Sequence, residues 1–153
     1  MQLSIVAKTI GLLLMVFSFA QVPPIIIDLI YSEGEYFSFL LSFALTGLGG
    51  LTLWWPFKNT KTDFRLREGV LIVVSFWIVL SLFGTLPFLI TDSISNLSFS
   101  DAFFESMSGL TTTGATVMRQ LDDVPTSILF YRQQLQWLGG MGIIVLAVAV
   151  LPL

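Results

Sequence analysis

Four stretches of this chain are apolar over about twenty residues each, the length at which a helix crosses a hydrocarbon layer ~30 Å thick. They run from about Leu3 to Val22, from about Tyr36 to Trp55, from Gly69 to Ile90, and from about Ser127 to the C-terminus. Backbone polar groups inside lipid must be satisfied within their own segment, so each stretch reads as a helix. The fold class is therefore an all-α membrane protein. Composition agrees: 55% of the 153 residues are apolar and 11% are charged, against roughly a quarter charged in a soluble domain.

The connections between the stretches set their direction. PFKNTKTDFRLRE, between the second and third, holds Lys58, Lys61, Arg65 and Arg67, four of the seven basic residues. Short basic loops stay in the cytoplasm. The other two connections hold Asp28, Glu33, Glu35, Asp92, Asp101, Glu105, Asp122 and Asp123 against Arg119 alone, and belong outside. The N-terminus, with Lys8, is then cytoplasmic, and the pair Pro23 and Pro24 ends the first helix at the outer interface. A secretory leader cleaved after Ala20 is the competing reading of the start; a near-spanning apolar run behind a single lysine favours a retained helix. Trp54 and Trp55 read as an interfacial belt, and the sequon Asn96-Leu97-Ser98 as chance. The basic loop reads as a topology signal and a contact for anionic lipid.

Function classes fall away quickly. Without cysteine or histidine, disulfide scaffolds, thiolate metal sites and imidazole acid-base chemistry are excluded. A net charge of -3 argues against a nucleic-acid partner.

The informative region is the connection from Thr91 to Thr126, 36 residues that begin and end on one side of the membrane. A structureless loop of that length is unusual. SFSDAFFESMSGL has helical spacing, with Phe103, Met107 and Leu110 on one face and Asp101, Glu105 and Ser108 on another. Ser98 or Ser100 can cap it, and Ser98 with Asp101 makes a capping-box pattern. A dozen residues reach only ~18 Å, so the helix enters part-way and the chain must return. The returning piece is TTTGATV, small residues around a glycine that accepts positive φ. Carbonyl and hydroxyl oxygens of Thr111, Thr112, Thr113, Gly114 and Ala115 can form an uncharged oxygen cage, which suits a weakly hydrated monovalent cation. The helix would point its negative C-terminal end toward the cavity below. Asp101 and Glu105 are candidates for concentrating cations at the outer mouth. Their bland roles are capping, dipole compensation, and for Glu105 a pair with Arg119 or Arg132. Arg132 itself reads as snorkelling or ion-paired.

DAFFESMSGLTTTGATV at 101–117 and FYRQQLQWLGGMGIIVLAVAVLP at 130–152, with LWWP at 53–56 and REGVLIVVSFW at 67–77, resemble the Trk/Ktr/HKT superfamily of potassium transporters, and closely the bacterial Trk-type potassium uptake membrane subunit. The resemblance implies two leading helices (1–57), the basic loop (58–68) and the first of four pore repeats (69–153). Within that repeat it implies an outer helix at 69–90, a pore helix at 100–110, a filter at 111–116 and an inner helix from 127, truncated at the end of the chain. It implies potassium as the transported ion, no cofactor, and coordination chiefly by Thr112 and Thr113, with Thr111, Gly114 and Ala115 completing the loop. Gly114 matches the glycine that the family associates with potassium preference. TTGAT departs from TVGYG at three positions, which implies looser selectivity. Implied partners are the remaining three repeats, a cytosolic nucleotide-binding Trk subunit and, for complete subunits, a homodimer in the inner membrane.

One loop cannot surround an ion, so the expectation is a piece of a longer transporter that does not conduct alone. Two other classes compete. A non-conducting structural or regulatory membrane fragment would use the threonines and glycines in helix contacts. An intramembrane enzyme would use Asp101 and Glu105, or Asp122 and Asp123, but no nucleophile accompanies them.

Overall fold

The computed structural model describes residues 3–60, 66–94, 97–119 and 121–150. Asn96 of the sequon, Lys61 and Arg65 of the basic loop, and the last three residues of the inner helix as expected lie outside them. All regular structure among the described residues is helical: α1 (Leu3–Ser18), α2 (Val22–Tyr31), α3 (Tyr36–Trp54), α4 (Leu66–Gly84), α5 (Leu86–Ile90), α6 (Phe99–Leu110) and α7 (Thr126–Val150). Short 3-10 turns sit at Phe19–Gln21, Trp55–Phe57 and Leu121–Asp123.

The expected stop at Pro23 and Pro24 does not occur. Helix continues through the 3-10 turn to Tyr31, giving one apolar rod of 29 residues. The turn resets the hydrogen-bond register, so the prolines fall in the first turn of α2, where a missing N–H has no helical partner to lose. The rod ends instead at Ser32, at a left-handed φ of 55°. Among the described residues two more stretches are long and apolar enough to cross a membrane, Tyr36–Phe57 and Gly69–Ile90. The second is divided at Thr85 into α4 and α5. The expected fourth stretch is α7, of 25 residues.

α1 and α3 form an antiparallel hairpin whose backbones touch at glycine. A Cβ on Gly11 would lie 2.7 Å from the Gly50 carbonyl oxygen, and one on Gly50 equally near that of Gly11. Van der Waals packing of this closeness substitutes for the hydrophobic drive that lipid removes. The interior is correspondingly polar for its size. Ser42, Thr46, Ser81, Ser106 and Ser127 are fully buried, while Val16, Phe19, Leu29 and Ile30 are exposed. At the centre Tyr131 packs on Phe39 and Phe88. Its hydroxyl accepts from Gln21 Nε2 at 3.3 Å and donates to the Gly84 carbonyl at 3.0 Å. Leading helices and pore repeat thus share one core.

Candidate functional site: a pore loop braced from behind

The pore helix starts where local chemistry places it. Ser98 Oγ accepts the Asp101 N–H at 3.2 Å, and Asp101 Oδ2 accepts the Ser98 N–H at 3.1 Å, a reciprocal capping box. Those Ser98 contacts hold the Asp101 carboxyl below its usual range. At the other end, Leu110 meets α7. A Cβ on Gly139 would overlap the Leu110 carbonyl oxygen, so the pore helix seats on the inner helix only because residue 139 has no side chain.

Beyond Leu110 the chain reverses and runs back along its own helix. The Thr113 and Gly114 N–H groups both donate to the Ser108 carbonyl, at 2.9 and 3.3 Å. Thr112 has φ 58° and Gly114 φ 73°, with no positive value at Thr113 between them. Alternation of this kind turns successive peptide planes the same way, so that neighbouring N–H groups share one side and carbonyls the other. A left-handed threonine is strained by about 1–3 kcal/mol. Here the Thr112 N–H donates to the Gly109 carbonyl at 2.9 Å, and the hydroxyls of its neighbours Thr111 and Thr113 lie 2.9 Å apart.

Behind the loop stands a buried ion pair. Glu105, fully inaccessible, accepts Arg132 Nε at 2.9 Å on one oxygen. Its other oxygen accepts the Thr116 hydroxyl and the Val117 N–H, each at 2.6 Å, and the Met118 N–H at 3.3 Å. Arg132 Nη2 donates to the carbonyls of Gly114 at 2.9 Å and Ala115 at 3.4 Å, and Ser108 Oγ donates to Ala115 at 2.7 Å. Residues 114 to 118 are thereby tied to α6 and α7. Among the described residues no donor reaches the carbonyls of Thr111, Thr112 or Thr113, and Thr112 to Val117 are exposed.

The residues singled out in the sequence divide accordingly. Thr111 to Ala115 form one continuous loop, but the oxygens of Gly114 and Ala115 face a guanidinium. The charge of Glu105 is matched by Arg132, and Asp101 is occupied in its cap. Arg119, Asp122 and Asp123 are exposed and stand apart from that pair. The polar face of the amphipathic pore helix is its inward one: Glu105, Ser106 and Ser108 are buried, while Phe99 and Phe104 are exposed. Gly139 and Tyr131 are structural positions that the sequence does not announce. No local pattern marks either, since each acts on residues far away in the chain.

A half-length pore helix, a returning loop of alternating hand and a long inner helix define a multi-pass membrane protein with a potassium-channel-like repeat. The chain belongs to the TrkH family of cation transport proteins, whose model matches residues 36–153, and these are transporters rather than enzymes. It is 50% identical over 152 residues to the Trk system potassium uptake protein TrkH of Halomonas elongata, covering 99% of this chain and 31% of that protein. Against the protein of the same name from Escherichia coli K12 it is 51% identical over 148 residues, 97% of this chain and 30% of the relative. The crystal structure of the potassium transporter TrkH from Vibrio parahaemolyticus matches with a TM-score of 0.94 at 50% identity, covering 100% of this chain and 32% of that one. The chain thus spans about a third of the length of these relatives.

Proposed function

We propose that this segment supplies one of four filter loops of a potassium uptake protein, and that dehydrated K+ is coordinated chiefly by the carbonyl oxygens of Thr111, Thr112 and Thr113. The observation that carries the reading is the loop itself. Its backbone alternates in hand, three successive carbonyls meet no donor among the described residues, and the next two are held back by Arg132. The names of the relatives support potassium as the ion. The remaining three repeats would complete the ring, in the cytoplasmic membrane with the N-terminus inside, as the charge of the loops favours. The homodimer and the cytosolic nucleotide-binding subunit come from the family resemblance, and anionic lipid from the basic loop.

In this reading Glu105 acts by bracing the loop, since its charge is buried against Arg132. The test is cation flux in liposomes holding the complete parent chain, with and without Gly114→Ser. A Cβ at Gly114 meets nothing nearer than 3.8 Å, yet the φ of +73° disfavours any side chain. The substitution therefore strains the backbone by about 1–3 kcal/mol without filling space. Erosion of potassium preference over sodium is the expected result. A parent chain that does not discriminate, or discriminates equally well with serine, overturns the filter reading.

A further inference from the structure

The last turn of α2 and the turn that joins it to α3 carry three acidic side chains, Asp28, Glu33 and Glu35, all of them engaged. Glu33 accepts the N–H groups of Thr126 at 2.6 Å and Ser127 at 2.9 Å, the start of α7. Asp28, 1% exposed, accepts the N–H groups of Glu35 and Tyr36 at 2.9 and 2.8 Å and the Ser127 hydroxyl at 3.4 Å. Glu35 accepts the hydroxyl of Ser93, in the loop after α5, and that of Ser38 at 3.1 Å. A helix N-terminus presents unsatisfied N–H groups and partial positive charge. For α7 a carboxylate 93 positions away satisfies two of them. The leading hairpin is therefore fastened to both flanks of the pore repeat, after α5 and at the start of α7, and again deeper down through Gln21 and Tyr131.

We propose that the leading hairpin is a positioning element for the filter, with Glu33 as its principal contact. By seating the first turn of α7 it fixes the height and rotation of Arg132, six residues on, and Arg132 holds the carbonyls of Gly114 and Ala115 away from the ion path. Glu33 touches neither loop nor ion and acts through α7. The inference rests on the filter reading of the TTTGAT loop.

The experiment is the K+ over Na+ permeability ratio of the complete parent chain in liposomes, a ratio that does not depend on how much protein inserts. Glu33→Gln removes the charge. Thr126→Pro removes one donor without breaking the helix, because proline is accepted at a first helical position. Each is expected to lower the ratio by about three- to tenfold, the size of a coupling between contacting groups. The double variant should fall no further than the worse single, since both break one contact. Should Glu33→Gln fail to insert, Thr126→Pro and Ser93→Ala, which removes the second attachment, still report. Unchanged ratios in the variants that insert, or losses that multiply in the double, overturn the proposal. Where Gly114→Ser erodes selectivity and these variants do not, the hairpin role alone fails; where Gly114→Ser also has no effect, the filter reading fails first.

Discussion

Two carboxylates hold the pore repeat together, and they do it in opposite surroundings. Glu105 is sealed inside, 0% exposed, and shares its charge with Arg132. Glu33 sits half-buried in the turn between α2 and α3 and accepts from Thr126 and Ser127, neutral donors at the start of α7. Burial makes the first contact intolerant of losing one partner, because the survivor is an uncompensated charge out of water. The second can lose its partner to solvent. The loop at 111–118 is thus built against a rigid, all-or-none brace, while the hairpin is held to α7 by a contact water can replace.

The largest effect should come from breaking the inner brace on one side. Arg132→Met keeps much of the side chain's volume but strands Glu105, at a cost of about 3–5 kcal/mol. Residues 114 and 115 would lose their tie to α7, and the parent chain should lose both thermal stability and potassium preference. Adding Glu105→Gln removes the stranded charge, so the double variant should regain stability while its selectivity stays low. Melting and flux measured on the same preparations separate the two. A single Arg132→Met variant that melts like the wild type would contradict the brace.

What the sequence revealed follows from distance along the chain. The apolar runs and the Ser98 and Asp101 box are local patterns; the box forms as its spacing predicts, and the runs are helical, although the first continues past its prolines to Tyr31. The Glu105–Arg132 pair spans 27 positions and the Glu33–Thr126 contact 93. Charge patterning offers Glu105 two partners, Arg119 or Arg132, without choosing between them, and offers Glu33 none; the structure selects Arg132. Asp28 and Glu35 were legible as outer-loop charges, whereas their burial at 1% and 6% was not. The prolines at 23 and 24 misled because their effect depends on whether they fall inside a helix or in its first turn. Gly139 was illegible for a different reason: its importance belongs to the Leu110 carbonyl that occupies its missing side chain's place.

A middle-sized effect sharpens the contrast at a purely local contact. Ser98→Ala removes the cap of the pore helix on an exposed turn, and a lost cap of this kind costs about 1 kcal/mol. The Glu105 brace lies further along α6 and should survive. The expected signature is a small drop in the melting temperature of the parent chain with the K+ over Na+ ratio unchanged. A selectivity loss as large as that of Arg132→Met would mean that the loop depends on the start of its helix as much as on the pair behind it.

The smallest effect is a titration confined to the Glu33 contact. Burial pushes the Glu33 carboxyl up, but hydrogen bonds from Ser127 and Thr126 outweigh it, and the group titrates below its ordinary value of 4.5. A carboxylate with a depressed folded-state pKa stabilises the structure above the unfolded value and loses that contribution as pH falls through the folded one. The contact is therefore whole at neutral pH and weakens only below about 4.5, where protonation leaves the Thr126 and Ser127 N–H groups a poorer acceptor. Their amide resonances in the labelled parent chain should shift together with a midpoint under that value. Glu33→Gln should abolish the titration at both amides. If they instead shift around the ordinary glutamate value or above, the α7 N-terminus does not favour the charged form of Glu33, and the electrostatic half of the contrast with Glu105 is lost.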